Sequence, residues 1–158
     1  MKDKQPVSKE VIIKEYPKST HWLEGNQVKA IGNLILTNER LIFLNQIILT
    51  QEEVEYLQKF SKEATTERLI QLTLTLHKKN FQLPLSSIVS LKMGLYSILP
   101  LRPCLRISYR SEKKKKKIKT VSFMFTLPLL KRLLMSEFPT LGWVRDVKKA
   151  VKAKQSTA

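Results

Sequence analysis

The chain has 158 residues with 42% hydrophobic side chains and only four glycines, enough apolar material for one ordinary core and too little glycine for a collagen-like or flexible-linker protein. Lys and Arg number 29 against 13 Asp and Glu, a formal charge of +16. Residues 1–76 are neutral, with 10 basic and 10 acidic side chains, whereas residues 77–158 carry 19 basic and 3 acidic ones, so an anionic partner is expected at one part of the molecule.

In chain order, Val11 to Glu15 reads as a first strand ended by Tyr16-Pro17, and Ser19 to Gln27 as a long loop. Ala30 to Leu36 and Leu41 to Leu44 form a hairpin through Thr37-Asn38-Glu39-Arg40, because Asn tolerates the left-handed conformation of tight turns. Thr50 followed by Glu53 is a capping-box pattern, and Val54, Leu57, Phe60 and Ala64 then recur at helical spacing. Leu72, Leu74 and Leu76 alternate with Thr73, Thr75 and His77, which predicts a half-buried strand. Lys79-Asn80 reads as a turn, Phe81 to Leu85 as a strand ending near Pro84, and Ile88 to Met93 as another short strand. Gly94 to Pro103 reads as an apolar loop.

Cys104 to Arg110 and Lys119 to Phe125 make a second hairpin. Leu105, Ile107, Tyr109, Val121, Phe123 and Phe125 point inward, and Arg106, Ser108 and Arg110 outward. After Thr126 the period turns helical over 127–138. Pro139 breaks the run, and Thr140 can cap a last helix with Trp143, Val147, Ala150 and Val151 on one side.

The run Gly32-Asn33-Leu34-Ile35-Leu36-Thr37-Asn38-Glu39-Arg40-Leu41-Ile42-Phe43-Leu44 resembles the signature of GRAM and related bacterial pleckstrin-homology-like domains. Phe81-Gln82-Leu83-Pro84-Leu85-Ser86-Ser87-Ile88 is similar to the family's next element. The resemblance covers about residues 10–150. It implies a mainly β fold with helices (α+β): a seven-stranded, half-open PH-like barrel whose C-terminal helical segment closes one end. It implies binding to membrane lipid or protein only loosely. Two features depart from the pattern: the helix near 50–66, which reads as an insertion, and the helix-Pro-helix ending. The chain is thus expected to be a single domain over 1–158, with a β core at about 10–125 and helices at about 126–154.

Nothing nominates catalysis, a cofactor or a metal. His21 and His77 stand in no metal-ligand pattern, and no Gly-rich phosphate loop occurs. Arg40 at a hairpin turn reads as a partner for a nearby acid or carbonyl. The lone Cys104 cannot form an intramolecular disulfide and reads as a buried, inert thiol in a reducing cytoplasm. Met1 to Glu10 lacks the apolar stretch of a secretion signal, and no run reaches the length of a membrane span. The expected location is cytoplasmic and peripheral at the inner membrane face.

The positive signal is Lys113, Lys114, Lys115, Lys116 and Lys117 with Lys119 at a hairpin tip, which Arg106 and Arg110 extend along one strand. Such a cluster suits an anionic phospholipid surface. The same lysines also suit a solvated loop that prevents edge pairing, or a nucleic-acid backbone. Leu95, Tyr96 and Leu99 in the apolar loop are candidates for membrane contact or for a protein partner, including a second copy of the chain.

Overall fold

The computed structural model describes residues 9–25, 27–45, 59, 66–97, 102–111, 117–126 and 139–156. Seven strands form one antiparallel sheet among these residues: β1 Ile12–Glu24, β2 Gln27–Thr37, β3 Arg40–Asn45, β4 Phe81–Pro84, β5 Ile88–Ser97, β6 Arg102–Arg110 and β7 Ile118–Phe125. Two helices accompany them, α1 Thr66–Leu76 between β3 and β4 and α2 Pro139–Ser156 after β7. In space the strand order is β4-β3-β2-β1-β7-β6-β5, so β4 and β5 are the two edges.

The sheet is folded over on itself. In a flat sheet β4 and β7, four strands apart, would be separated by about 19 Å at ~4.8 Å per strand. Instead the rings of Phe81 on β4 and Phe123 on β7 are 6.0 Å apart, and Phe43 on β3 lies 5.9 Å from Phe123. One core therefore collects Leu34, Leu36, Leu41, Phe43, Leu83, Leu85, Ile88, Leu105, Ile107, Val121, Phe123 and Phe125 from both edges and the centre.

The two predicted hairpins are present, with Leu36 opposite Leu41 and Ile107 opposite Val121. Thr37 organises the first turn. Its Oγ1 accepts from the N–H groups of Glu39 at 3.1 Å and Arg40 at 2.9 Å and donates to Glu10 Oε1 at 2.8 Å. Arg40 grips the same carboxylate through Nε at 2.8 Å and Nη2 at 2.7 Å, and its Nη1 also donates to Gln82. Asn38 holds the backbone of Lys9 and Val11, so residues 9–11 form a strap across the turn. Arg40 thus has the acid partner expected of it.

Four readings of the sequence are corrected. The loop expected over Ser19 to Gln27 is strand: β1 runs through Tyr16-Pro17 to Glu24. It does so because the register slips between Tyr16, opposite Leu34, and Thr20, opposite Gly32; this bulge accommodates a residue with no N–H to donate. The chain then turns at Gly25, whose φ of 59° suits glycine. The strand expected at Leu72 to Leu76 is the end of α1. Leu69, Leu72 and Leu76 also share helical spacing, and Leu74 packs on Ile35 and Ile42, covering the outer face of β2 and β3. Thr75, a poor helix former, bonds back to the Leu72 carbonyl at 2.6 Å.

The apolar loop expected at Gly94 to Pro103 is mostly sheet. Gly94, Leu95 and Ser97 pair with Cys104, Pro103 and Arg102, and Pro103 sits near the start of β6, beside an irregularity in β5. Finally, Thr140 does not precede the last helix as a cap; it is buried inside α2, which begins at Pro139. The helices expected near 50–66 and over 127–138 lie outside the described residues, apart from helical Lys59 and the first residue of α1.

Helix α2 buries Thr140, Trp143, Val147 and Ala150, one stripe at three- and four-residue spacing. Trp143 stacks on Phe125 at 5.5 Å. Asp146 accepts from Lys14 at 2.5 Å, and Lys154 donates to Glu39 at 2.6 Å, tying the helix to β1 and to the β2–β3 turn. No described helix is long and apolar enough to cross a membrane.

Candidate functional site

The end of β7 remote from Trp143 opens into a cleft of about 600 Å³. Its lining comes from the close of β1 (Trp22, Glu24), the approach to β4 (Lys78, Lys79, Phe81) and the β6–β7 hairpin (Tyr109, Lys117, Lys119, Val121). Trp22 and Phe81 pack with ring centroids 4.9 Å apart, and Phe81 in turn stacks on Phe43 at 5.6 Å, so the aromatic floor is continuous with the core. Among the described residues four lysines and one carboxylate line this floor, and that carboxylate, Glu24, is paired with Lys29 at 3.6 Å.

Each lysine is placed by local structure. Asn80 fixes the turn that carries Lys78 and Lys79: its N–H donates to the His77 carbonyl at 2.9 Å, its Nδ2 to the Thr73 carbonyl at 2.8 Å, and its Oδ1 accepts from the Asn45 N–H at 2.7 Å. Lys79 Nζ donates to the Lys29 carbonyl at 3.0 Å. The Ser111 N–H donates to the Lys117 carbonyl at 3.2 Å and closes the stem of the β6–β7 hairpin. Lys119 lies opposite Tyr109, and both share the face of Val121 and Phe123. Burial, followed by the nearby Glu24 carboxylate, raises the Tyr109 phenol above its ordinary range, so at neutral pH it is an uncharged hydroxyl.

The basic residues predicted to act together are divided between two faces. Lys117 and Lys119 belong to the cleft. Arg106 and Arg110 alternate with Leu105, Ile107 and Tyr109 and so lie on the outer face, where Arg106 has Lys92 as its cross-strand neighbour. The Arg106 guanidinium lies against Gly94, where an added Cβ would be 3.2 Å from Cζ. Lys113 to Lys116 lie outside the described residues, as does Leu99. Leu95 is 50% exposed on β5, while Tyr96 packs on the outer-face cluster of Leu23, Cys104 and Met124. The sequence reading did not connect Lys78 and Lys79 with this site; their doublet in a turn before an edge strand was the available signal.

Cys104 is 1% exposed, and burial raises its thiol above the ordinary range despite the adjacent Arg106. His21, on the same outer face, is held below the usual imidazole range by burial and then by Arg102. Among the described residues no three His, Cys, Asp or Glu side chains gather closely enough to hold a metal ion. Chemically, the cleft offers ammonium donors, one phenol hydroxyl and an aromatic floor, which suits an anion with some apolar or planar surface.

Comparison of the chain with protein-family models, with curated proteins and with solved structures finds no match.

Proposed function

We propose that this chain is a non-enzymatic, pleckstrin-homology-like module of the GRAM kind that docks on anionic lipid headgroups, at the inner face of a membrane, through the lysine-rimmed cleft. The observation that carries the reading is the convergence of Lys78, Lys79, Lys117 and Lys119 on one open cleft. The run Lys113 to Lys116 leads directly into it in sequence. The spatial strand order, with one folded-over sheet and a terminal helix packed on β5, β6 and β7, supports the kinship drawn from the Gly32 to Leu44 and Phe81 to Ile88 windows.

Lysine ammoniums act here as mobile point charges toward phosphate and carboxylate groups. Ile118, 56% exposed, lies between Lys117 and Lys119 in sequence but pairs with Arg110, so it shares the outer face of the sheet rather than the face of the two lysines. Arg106, Arg110 and Lys92 lie on the other side of the sheet and contribute to the long-range field rather than to the same headgroup.

The test is co-sedimentation with phosphatidylcholine vesicles, with and without phosphatidylserine, across a salt series. Binding requires the anionic lipid and weakens with salt, because exposed charges are screened over about 8–10 Å. Each Lys→Gln change at 78, 79, 117 or 119 weakens binding by about fivefold. Equal binding to neutral vesicles, or insensitivity to these four substitutions, refutes the site. Tight binding of DNA or RNA in parallel gel shifts, with no vesicle binding, replaces the lipid reading with a nucleic-acid one.

A further inference from the structure

We infer that the groove between the outer edge of β5 and helix α2 is a docking site for an extended acidic segment of a partner protein. The groove has a volume of about 310 Å³. One side is the backbone and side chains of Ile88 to Leu91; the other is the α2 face bearing Lys148, Val151, Lys152 and Gln155.

Three observations converge on this occupant. First, β5 ends the sheet, so among the described residues no strand pairs with its outer edge. Unpaired edges invite strand addition, and proteins normally blunt them. The opposite edge is blunted: β4 is four residues long and ends in Pro84. β5 is ten residues long and contains no proline. Two irregularities, at Val89 and at Tyr96, and a single lysine, Lys92, are the devices it carries, and the stretch Ser90 to Leu95 between them is regular.

Second, the edge is apolar where an incoming strand would lie. Val89, Met93 and Leu95 are 47%, 47% and 50% exposed on this one strand, and Ile88 and Leu91 reach from it toward the core. Third, the facing wall is cationic. Lys148 and Lys152 are one turn apart, and among the described residues no acid lines the groove. The single acid of α2, Asp146, is already bonded to Lys14 and Arg145. An extended peptide with alternating apolar and acidic side chains matches all three: main-chain bonds to β5, one row of carboxylates toward Lys148 and Lys152 on the α2 wall, and the apolar row on the other face of the added strand. This site is separate from the lysine-rimmed cleft and stands whether or not that cleft binds lipid.

The probe is a fluorescent, end-blocked nonapeptide of alternating Glu and Val, followed by anisotropy and by hydrogen–deuterium exchange of the full chain. The peptide is expected to bind and to slow exchange in residues 88–97. A peptide of identical side chains, N-methylated along the edge that would pair, should bind about tenfold more weakly, since it keeps the charge and loses the main-chain bonds. Lys148→Glu with Lys152→Glu should weaken the unmodified peptide to a similar or greater degree. Val89→Glu, at an exposed position that leaves the core intact, should do the same. Lys117→Gln with Lys119→Gln should leave peptide binding unchanged. Equal affinity for the N-methylated peptide, protection at the cleft instead of β5, protection of β5 by anionic vesicles alone, or concentration-dependent self-association that covers β5 without peptide would each overturn the proposal.

Discussion

Replacing Glu10 by Gln should lower stability by about 3 kcal/mol, the lower end of the range for removing one partner of a buried ion pair. The pair is well enclosed, with Glu10 and Arg40 side chains 4% and 13% exposed. The change keeps the volume of the side chain and removes its charge, so the two short Arg40 bonds at 2.7 and 2.8 Å lose their ionic partner. The lower end is chosen because the guanidinium retains Gln82 and some contact with water. At roughly 2–4 °C per kcal/mol for a chain of this length, the melting temperature falls by about 6–12 °C. Thermal and urea unfolding followed by circular dichroism reads both quantities. A second arm separates charge from packing: Glu10→Leu combined with Arg40→Met should recover most of the loss, since a buried pair replaced by apolar groups is often neutral or better. A single-variant change below about 2 °C would show that the 9–11 strap does not hold the β2–β3 turn.

Acid should destabilise the fold through three groups acting in one direction. Glu10 is held below its ordinary range chiefly by the Arg40 hydrogen bond, Asp146 chiefly by Lys14, and His21 below its own range chiefly by burial. Each binds its proton more readily in the unfolded chain, so stability is full above the unfolded values. It declines first below about pH 6.5 through His21, then more steeply below about pH 4.5 through the carboxylates. Urea midpoints that stay flat from neutral pH to that lower range would contradict the His21 assignment. Gly32→Ala should cost about 3 kcal/mol or prevent folding, because a Cβ there overlaps the Leu44 carbonyl of the neighbouring strand; an unchanged melting temperature would mean β2 and β3 are not in this register. Cys104 should react with iodoacetamide only at the rate at which the protein opens, and prompt labelling under native conditions would place the thiol elsewhere than beneath Leu23 and Met124.

Much of the sheet was legible because its hairpins carry local signals. Leu34 to Phe43 and Leu105 to Phe123 combine period-two alternation with turn residues, and the register follows from them. Two elements were misread because a local rule was overridden. Pro17 reads as a strand end, yet a bulge absorbs it. Leu72 to Leu76 alternates like a strand, yet Leu69, Leu72 and Leu76 also satisfy a helical period, and the segment is helix, with Leu74 on the side away from that stripe packed on Ile35 and Ile42. The cleft was half legible. Lys117 and Lys119 were found from the charge run, but Lys119 shares parity with Val121 and Phe123, so its separation from Arg106 was readable from alternation alone. Lys78 and Lys79 come from a distant stretch of sequence, and only the folding-over of the sheet brings them beside the β6–β7 hairpin.

The β2–β3 turn receives both ends of the described chain: Asn38 holds the Lys9 carbonyl, and Glu39, the next residue, holds Lys154. A linker of a few glycines could therefore join residue 156 to residue 9 without unpicking the sheet, and new ends could be cut into the β6–β7 hairpin. In such a circular permutant the spatial order of strands would be kept while β7 and α2 left the ribosome first. Spatial adjacency and order of synthesis would then part company, and refolding of the permutant would report whether β1 needs its hairpin with β2 in place before it can accept β7.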